Sequence, residues 1–393
     1  MLRLDCPTHG YEWGSANDIP AFLRQDADGS PVAEVWMGTH PLGTAVARHD
    51  EGDRPLTDVA GELPFMLKIL AASSPLSVQV HPDRARAQAG FAREEAAGVP
   101  LDAPERVFKD PHPKPEMVYA LTTFDTLVGF RPTAEILRVL APLNHPYAKA
   151  LTEDLRSDPG FPGIVRLVGR ILSDDGVAEA VSGIVAECQA AHDLGIDVKR
   201  AYATALEIEK HHPEDPGVIV SLLLNRLTLQ PGEAAYLGAG IIHAHLSGMC
   251  LEVMVASDNV LRAGLTGKHI DRDGLVDALQ AGMSRVARVA PDQFGFSTDV
   301  FSPSGEFALA IAQASQAEPL GAVLPETGKR LLVCTGGEVA VVNGQGASLW
   351  LKRGDAAYAD EADGELRVIG TGEVAQAYLP PADAPHRPMT DLV

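Results

Sequence analysis

The sequence predicts a mainly β protein with two similar β-barrel or jelly-roll modules and a helical segment inserted into the first module. Three observations lead to this prediction. Strand-like runs separated by glycine and proline occupy the first 131 residues and return at Val218. The residues between these two regions have helical periodicity. A strand, a glycine turn and a second strand then recur as an internal repeat.

Three runs in the first region are typical of strands. Residues 34–39 and 117–121 are rich in apolar side chains, and residues 76–81 alternate between apolar and polar side chains before Pro82 ends the run. Residues 84–97 are rich in alanine, arginine and glutamate, so this segment is predicted to be a helix.

The character of the sequence changes at Pro132. Proline suits the first position of a helix, and the apolar residues that follow recur with the spacing of one helical face. Similar patterns continue to about residue 212, which predicts a helical insertion over residues 132–216. A turn-rich linker ends it, and the adjacent His211 and His212 in this linker are interpreted as a solvated pair.

The internal repeat consists of residues 229–236 and 351–358, which are identical at five of eight positions. The first copy continues towards His243 and His245, whereas the second continues into residues 359–361 and has no histidine there. One module can therefore bind a metal, while the other is interpreted as a structural copy. The predicted units are a discontinuous catalytic module, a helical insertion and a C-terminal module, over residues 1–131 with 217–290, 132–216 and 291–393 respectively.

The charge of the chain restricts its partners. The formal net charge is −21, from 32 basic and 53 acidic residues, which argues against nucleic acid or an anionic membrane as the partner. An anionic substrate would be repelled at long range, so its site needs a local cluster of cationic side chains. The candidates near the motifs described below are Lys68, Lys114, Arg262 and Lys268.

Several other classes of protein have little support. No apolar run is long enough to span a bilayer, and the first residues contain no signal-peptide core. No Walker loop, GxSxG motif or kinase signature is present, which argues against nucleotide chemistry. The cysteines are far apart and form no CxxC pair, which favours reduced thiols in a cytoplasmic protein. They are Cys6, Cys188, Cys250 and Cys334.

Residue types that bind metals occur on strand-like segments. Gln79 and His81 are two residues apart, as are His243 and His245, so each pair faces one side of a strand. Glu116 precedes a third apolar run. Imidazole, carboxylate and amide oxygen together suit zinc or a similar divalent ion. Each residue alone also fits an ordinary surface or core position, so a metal site requires that these residues converge.

A polar loop follows the apolar run that contains Glu252. Asp258 and Arg262 lie in this loop with asparagine and threonine side chains. Such a loop can bind hydroxyl groups and stabilise developing negative charge. The structural alternatives are a solvated charge for Arg262 and a buried ion pair for Glu252 with Lys268.

Taken together, these motifs resemble the type I mannose-6-phosphate isomerases (phosphomannose isomerases). The matching runs appear in the order found in the family and cover most of the chain outside the helical insertion and the C-terminal module. They are residues 34–41, 63–68, 77–83, 114–117, 129–132, 243–248 and 256–266.

The resemblance implies a zinc site and a sugar-phosphate pocket in a pair of cupin-like barrels with a helical domain inserted. One zinc ion per chain would be bound by four residues, which are Gln79, His81, Glu116 and His243. Arg262 matches the arginine to which the family assigns a catalytic role. The residues that match the lining of the pocket are Lys68, Ser77, Lys114, Glu252 and Lys268.

The chain departs from the family pattern at positions in or near the pocket. Pro113 stands where the family usually has histidine, and His245 replaces a tyrosine. Gly267 and His269 replace the proline and the aromatic residue that commonly flank the pocket lysine. These changes leave the preferred sugar open.

The implied activity is the reversible conversion of mannose 6-phosphate into fructose 6-phosphate through a cis-enediol intermediate. A base must carry a proton between C1 and C2, and Glu252 is the first candidate for it and Asp258 the second. Lys68, Ser77 and Lys114 could hold the phosphate of this hexose 6-phosphate. The alternatives are a cupin isomerase of another sugar, a metal-dependent cupin oxygenase and a non-catalytic sugar-binding module. The protein is expected to work as a monomer or a small homo-oligomer.

Overall fold

The computed structural model describes residues 1–279 and 287–382, and its strands form two eleven-stranded sheets and one two-stranded sheet. Residues 280–286 of the predicted catalytic module and 383–393 of the predicted C-terminal module lie outside the described residues. Within the described ranges, no helix combines the length and the apolar character needed to cross a bilayer. The mainly β character that the sequence predicts is confirmed.

The strands are numbered in chain order. They are β1 (Leu2–Asp5), β2 (Thr8–His9), β3 (Glu34–Met37), β4 (Thr39–His40), β5 (Gly43–Thr44), β6 (Val46–Ala47), β7 (Arg54–Pro55), β8 (Phe65–Ala72), β9 (Gln79–Val80), β10 (Glu116–Ala120), β11 (Phe124–Phe130), β12 (Leu224–Leu229), β13 (Ala234–Leu237), β14 (His243–Val255), β15 (Leu261–Arg262), β16 (Ala287–Val289), β17 (Asp292–Gln293), β18 (Thr298–Ser304), β19 (Phe307–Ala314), β20 (Ala322–Leu324), β21 (Arg330–Asn343), β22 (Ser348–Lys352), β23 (Ala356–Ala359) and β24 (Leu366–Tyr378).

The α-helices are numbered in the same way, and short 3-10 turns cover Val198–Arg200 and Glu361–Asp363. The helices are α1 (Asp18–Phe22), α2 (Leu56–Ala60), α3 (Arg84–Ala96), α4 (Thr133–Leu140), α5 (Pro146–Ser157), α6 (Phe161–Ser173), α7 (Val177–Asp193), α8 (Ala201–Glu209), α9 (Gly217–Leu222) and α10 (Arg272–Ala278).

The sheet that carries the predicted site has the order β16-β13-β10-β14-β8-β3-β2. Its central strand β14 pairs with β11 and β9 in its first half and with β10 and β8 in its second half. Side chains alternate between the two faces of a strand. Leu251 and Val253 therefore pack into a core shared with the second large sheet, whereas Glu252 points to the opposite face.

Gly248 lies between the two halves of β14. Its φ is +105°, and a Cβ at this position would lie 2.3 Å from the carbonyl oxygen of Thr123. We expect Gly248→Ala to lower the free energy of unfolding by about 2–4 kcal/mol. The new Cβ would clash with this carbonyl oxygen, and alanine is strained at a positive φ. Urea unfolding measures this loss. Gly336→Ala is the control, since a Cβ there meets no atom within 4 Å; an equal loss in both variants would contradict the prediction.

The second large sheet has the order β17-β18-β19-β24-β21-β23-β1-β6-β7, so three short strands from the beginning of the chain join strands from its end. The two copies of the internal repeat adopt the same local conformation in different sheets. Gly232 has φ of +91° between β12 and β13, and Gly354 has φ of +88° between β22 and β23. The predicted strand, glycine turn and strand are therefore confirmed in both copies.

Helices α4 to α9 follow one another between β11 and β12 and share one core. The prediction that strands return at Val218 is wrong, because α9 covers Gly217–Leu222 with apolar residues buried in this core and the next strand begins at Leu224. Leu151 and Val181 are completely buried in this core. The same core includes Val78 and Leu265, which lie in the segments that carry Ser77 and Arg262. The helical part of the chain therefore supports two walls of the predicted site.

Candidate active site

Three of the predicted metal ligands converge. His81 directly follows β9, Glu116 begins β10 and His243 begins β14, and all three side chains are buried. One ligand atom of each residue lies within 4.8 Å of the others. The two oxygens of Glu116 are 3.3 Å from His81 Nε2 and 3.5 Å from His243 Nε2. Two imidazoles and a carboxylate thus approach one point from three strands.

Backbone carbonyl groups orient both imidazole rings. His81 Nδ1 is 2.8 Å from the oxygen of Asn259, and His243 Nδ1 is 3.0 Å from the oxygen of Ile241. A carbonyl oxygen only accepts, so each Nδ1 donates a proton and each Nε2 offers a lone pair suited to a metal. Burial lowers the pKa of His81 to about 4, so this ring is neutral at neutral pH.

The donor atoms of this cluster fit a divalent cation. His81 Nε2 is buried and makes no hydrogen bond within the described ranges, an arrangement that is costly unless another group binds the atom. Burial opposes ionisation of Glu116, but the charge of Lys114 outweighs it and lowers the pKa of this carboxyl well below its usual value. Lys114 Nζ is 2.9 Å from Glu116 Oε1. Two imidazoles and an ionised carboxylate are ligands that zinc accepts.

Gln79 lies beside this cluster because of strand pairing. It stands opposite His243 in the β9–β14 pair and opposite Arg262 in the β9–β15 pair. Opposed residues of antiparallel strands project from the same face, with Cβ atoms about 4.5–5.5 Å apart. Gln79 is therefore a neighbour of both the ligand cluster and Arg262.

Lys68 is buried between two carboxylates. Its Nζ is 3.6 Å from Glu34 Oε1, 3.5 Å from Glu252 Oε2 and 4.8 Å from the ring centre of Trp36. Burial alone would lower the pKa of a lysine, but Glu34 and Glu252 outweigh it and raise the pKa of Lys68 above its ordinary value. Lys68 is therefore protonated. The buried cation partner of Glu252 is this lysine, not Lys268 as the structural alternative supposed.

His245 contacts Glu252 and lies outside the ligand group formed by His81, Glu116 and His243. Its Nε2 is 3.5 Å from Glu252 Oε1, and its Nδ1 is 3.1 Å from the hydroxyl of Thr126. Burial and the charge of Glu116 raise the pKa of Glu252, but Lys68 and His245 outweigh them and lower it below its usual value. Glu252 is therefore an ionised carboxylate held on both sides.

His40 and Asp258 form a second polar pair near the site. The backbone N–H of Leu42 donates to His40 Nδ1, so His40 Nε2 carries the proton and donates towards Asp258 Oδ2 at 3.3 Å. Burial raises the pKa of Asp258, but the hydrogen bond from His40 and the charges of Lys114 and Lys68 outweigh it and lower the pKa below the ordinary value of 3.8. Asp258 is therefore also ionised and able to accept a proton.

A cleft of about 340 Å³ borders the site, since Glu34 and Gln79 are part of its lining. Its walls include Ser77, Gln79, Arg262 and Lys268, all predicted to lie in the site. His211 and His212 also line it, so the interpretation of this pair as a solvated linker is wrong for His212. The Nε2 atom of His212 is 2.9 Å from the oxygen of Pro75, and its side chain is half-buried.

Arg262 and Lys268 supply positive charge to the cleft. Burial is the cause of the lowered pKa of Arg262, and burial followed by the positive charges of Arg262 and Lys109 lowers the pKa of Lys268. Within residues 1–279 and 287–382, neither side chain forms an ion pair with a carboxylate. Lys68 and Lys114, in contrast, are neutralised by Glu34, Glu252 and Glu116. The uncompensated charge therefore lies at Arg262 and Lys268.

Some residues of the site were not singled out from the sequence. Glu34 and His40 stand in the run 34–41, but nothing in that run shows that they reach Lys68 and Asp258. Asn259 bonds through its side chain to the backbone of Lys109 and Asp110 and thereby joins two loops of the site. The signal for Asn259 appears only in the structure, where this polar residue has no exposed surface.

Comparison with known proteins identifies the family. The family described as "Phosphomannose isomerase type I, catalytic domain" matches residues 1–133. Mannose-6-phosphate isomerase of Escherichia coli (strain K12) is 35% identical over 400 residues, which cover 96% of this chain and 99% of that protein. The mouse enzyme of the same name is 32% identical over 331 residues, covering 71% of this chain and 73% of its own.

Solved structures agree with the sequence relatives. Mannose 6-phosphate isomerase from Salmonella typhimurium, solved with fructose 6-phosphate and zinc, superposes with a TM-score of 0.85 at 32% identity and covers 96% of this chain and 99% of that chain. A zinc-bound structure of mannose 6-phosphate isomerase gives the same TM-score and coverage. From the sequence identity and the shared fold together, this chain belongs to the type I mannose-6-phosphate isomerase family.

Proposed function

We propose that this protein interconverts mannose 6-phosphate and fructose 6-phosphate with the help of a bound zinc ion. The observation that carries the proposal is a buried group of His81, Glu116 and His243 beside a cleft lined by Arg262 and Lys268. Relatives over nearly the whole chain have this activity in their names, and one neighbouring structure contains fructose 6-phosphate and zinc. The oxygenase and sugar-binding alternatives have no comparable support.

The zinc ion is held by the predicted set of Gln79, His81, Glu116 and His243, one ion per chain. A divalent ion at this position supplies Lewis acidity towards the sugar carbonyl. The protein provides ligands from three strands and orients both imidazoles through backbone carbonyl groups. Asn259 supports His81 in this way and also fixes the loop before Lys114.

The phosphate group binds at the cleft end that Ser77 and Lys268 share with Arg262. Arg262 and Lys268 have no carboxylate partner in the described part of the chain, so the negative charge of the phosphate group compensates their positive charge. Lys68 and Lys114 lie deeper and are paired with carboxylates, which suits contact with the sugar hydroxyls more than with the phosphate. The pocket residues named from the sequence thus divide between the two ends of the substrate.

The proton moves between C1 and C2 on Glu252, with Asp258 as the second candidate. Both carboxylates are ionised, and both lie near a proton donor, Lys68 for Glu252 and His40 for Asp258. A carboxylate beside a protonated lysine can remove the proton from one sugar carbon and return it to the other. The lysine meanwhile stabilises negative charge on the sugar oxygens. Glu252 is buried next to Lys68 in the same sheet as Glu116, which favours it over Asp258.

Arg262→Ala is expected to keep its zinc and to lose about 10²–10³-fold in kcat/KM, the usual effect of deleting a group that stabilises developing negative charge. Arg262 lies opposite Gln79, next to the ligand cluster, and also faces the phosphate end of the cleft, so we expect kcat to fall and KM to rise. Steady-state kinetics and zinc analysis measure the two effects. Arg84→Ala is the control, because Arg84 is exposed and pairs with Glu306. Full turnover in zinc-loaded Arg262→Ala would contradict the role.

The architecture is proposed to be a pair of cupin-like barrels with an inserted helical domain, divided at residues 1–131 with 217–290, 132–216 and 291–393. The matching conformation of the two glycine turns supports this division. The protein is cytoplasmic, in keeping with its four free cysteines. It works as a monomer or a small homo-oligomer, since one chain supplies every residue assigned to the site.

The substrate is tested with a panel of sugars. Purified, zinc-loaded protein is incubated with mannose 6-phosphate, glucose 6-phosphate and mannose, and the ketose products are measured. We expect the highest kcat/KM for mannose 6-phosphate and little turnover of unphosphorylated mannose. Higher turnover of another sugar would show that mannose 6-phosphate is not the preferred substrate. The absence of a ketose product from every sugar would refute the proposed isomerase activity.

A further inference from the structure

The helical part of the chain is connected to the cleft by a carboxylate that has no part in the chemistry proposed above. Asp215 lies in the linker between α8 and α9, where the helical run turns back towards the sheet. Its Oδ1 accepts the backbone N–H of Gly217 at 2.7 Å and of Leu265 at 2.8 Å. Its Oδ2 accepts the N–H of Thr266 at 3.4 Å. One side chain thus bonds to the linker and to the loop after Arg262.

The loop needs such support because of its backbone conformation. Leu265 has φ of +56°, a backbone conformation that residues other than glycine rarely adopt. It persists only when neighbouring contacts hold it. A Cβ on Gly264 would lie 2.7 Å from the backbone of Gly217, so the loop and the linker are in direct contact. The bond from Leu265 N–H to Asp215 stands at the strained residue itself.

Arg262 and Lys268 depend on Asp215 to different degrees. Arg262 is held by the pairing of β15 with β9, and the next residue, Ala263, bonds to the oxygen of Val78. Lys268 lies beyond the strained residue, and its backbone N–H bonds to the hydroxyl of Thr266, whose own N–H reaches Asp215. Asp215 therefore fixes the path of the chain to Lys268. Arg262 is held by its strand and does not depend on Asp215 to the same degree.

We infer that Asp215 is a positioning residue that sets the place of Lys268 in the cleft and thereby the affinity of the site for the phosphate group. The inference rests on the function proposed above and adds a residue of the helical linker to it. Both carboxylate oxygens of Asp215 accept backbone N–H groups of the linker and of the loop, so Asp215 acts through the geometry of the backbone. A displaced contact group commonly lowers affinity or rate strongly even when the chemistry is intact.

The experiment compares Asp215→Asn with Asp197→Asn in the zinc-loaded enzyme. Asp197 is a matched control, because it also accepts two backbone N–H groups in the helical part, those of Tyr202 and Ala203. For Asp215→Asn we expect KM for mannose 6-phosphate and Ki for inorganic phosphate to rise about tenfold together, with kcat within about twofold and zinc content unchanged. For Asp197→Asn all four quantities should stay at wild-type values.

Two further variants keep the test decisive. Thr266→Val removes the next bond towards Lys268 without touching the carboxylate and should raise the phosphate Ki in the same direction. In a Lys268→Ala background, Asp215→Asn should add little to the phosphate Ki, because both changes remove the same contact. An unchanged Ki in both Asp215→Asn and Thr266→Val, a fall in kcat alone, or full additivity with Lys268→Ala would overturn the inference. A wild-type protein that binds phosphate but does not isomerise mannose 6-phosphate would refute the proposed function instead.

Discussion

His243→Ala is expected to lose both the bound zinc and the isomerase activity. The substitution removes one of two imidazoles from the cluster and leaves the Glu116 carboxylate, which also binds Lys114, without its second histidine partner. We expect a loss in kcat on the order of 10³-fold or more, since a bound metal ion supplies several kcal/mol of transition-state stabilisation. Zinc content by atomic absorption and turnover of mannose 6-phosphate measure the two losses.

His245→Ala and His112→Ala are the comparisons for this variant. His245 stands two residues from His243, but its ring contacts Glu252 and Thr126, so His245→Ala should keep its zinc while turnover falls. His112 is exposed, and its substitution should leave both quantities unchanged. Normal zinc content in His243→Ala together with zinc loss in His245→Ala would reverse the choice of ligand.

Glu252→Gln is expected to lower kcat by about 10²–10⁴-fold with its zinc retained, the range found when a general base is removed. Glutamine keeps the shape of the side chain but cannot accept the proton from the sugar carbon. The substitution also leaves Lys68 with Glu34 as its remaining close carboxylate, so the charge of the pocket becomes more positive. Measuring kcat at saturating substrate separates a loss of proton transfer from a change in binding.

Asp258→Asn decides between the two candidate bases. If Glu252 carries the proton, Asp258→Asn should reduce kcat by less than about tenfold, because it disturbs only the bond with His40. Exchange of the C2 proton of mannose 6-phosphate with deuterated water gives an independent reading and should be lost in Glu252→Gln. The opposite order, with exchange lost in Asp258→Asn and kept in Glu252→Gln, would assign the base to Asp258.

Residue types and strand spacing predicted candidate ligands, and the resemblance to the family selected Gln79, His81, Glu116 and His243 among them. His243 and His245 project from one face of a strand, and Glu116 begins the strand that its apolar neighbours indicate. The prediction for residues 76–81 was only partly correct, since the regular strand covers just Gln79–Val80. Gln79 still lies beside the cluster, because those two residues pair with β14 and β15, and its role as a ligand stays a prediction.

Other parts of the site depend on contacts between distant segments, which no local pattern encodes. Lys68 receives its two carboxylates from β3 and β14, so its neutralisation becomes visible only when the sheet is assembled. A short polar segment with two prolines is typical of exposed turns, so the sequence alone predicts a solvated linker at His212. His212 lines the cleft because Asp215 of the same linker bonds to the backbone of Gly217 in α9 and of Leu265 in the loop after Arg262.

Isomerase activity is expected to depend on a metal ion in the cluster of His81, Glu116 and His243. The most direct test removes metal from the wild-type protein with a chelator, confirms its absence by atomic absorption, and returns zinc stepwise while the conversion of mannose 6-phosphate is measured. We predict activity that rises in proportion to added zinc and saturates at one ion per chain. Full activity in the metal-free protein, or no activity after one equivalent of zinc has bound, would contradict this account.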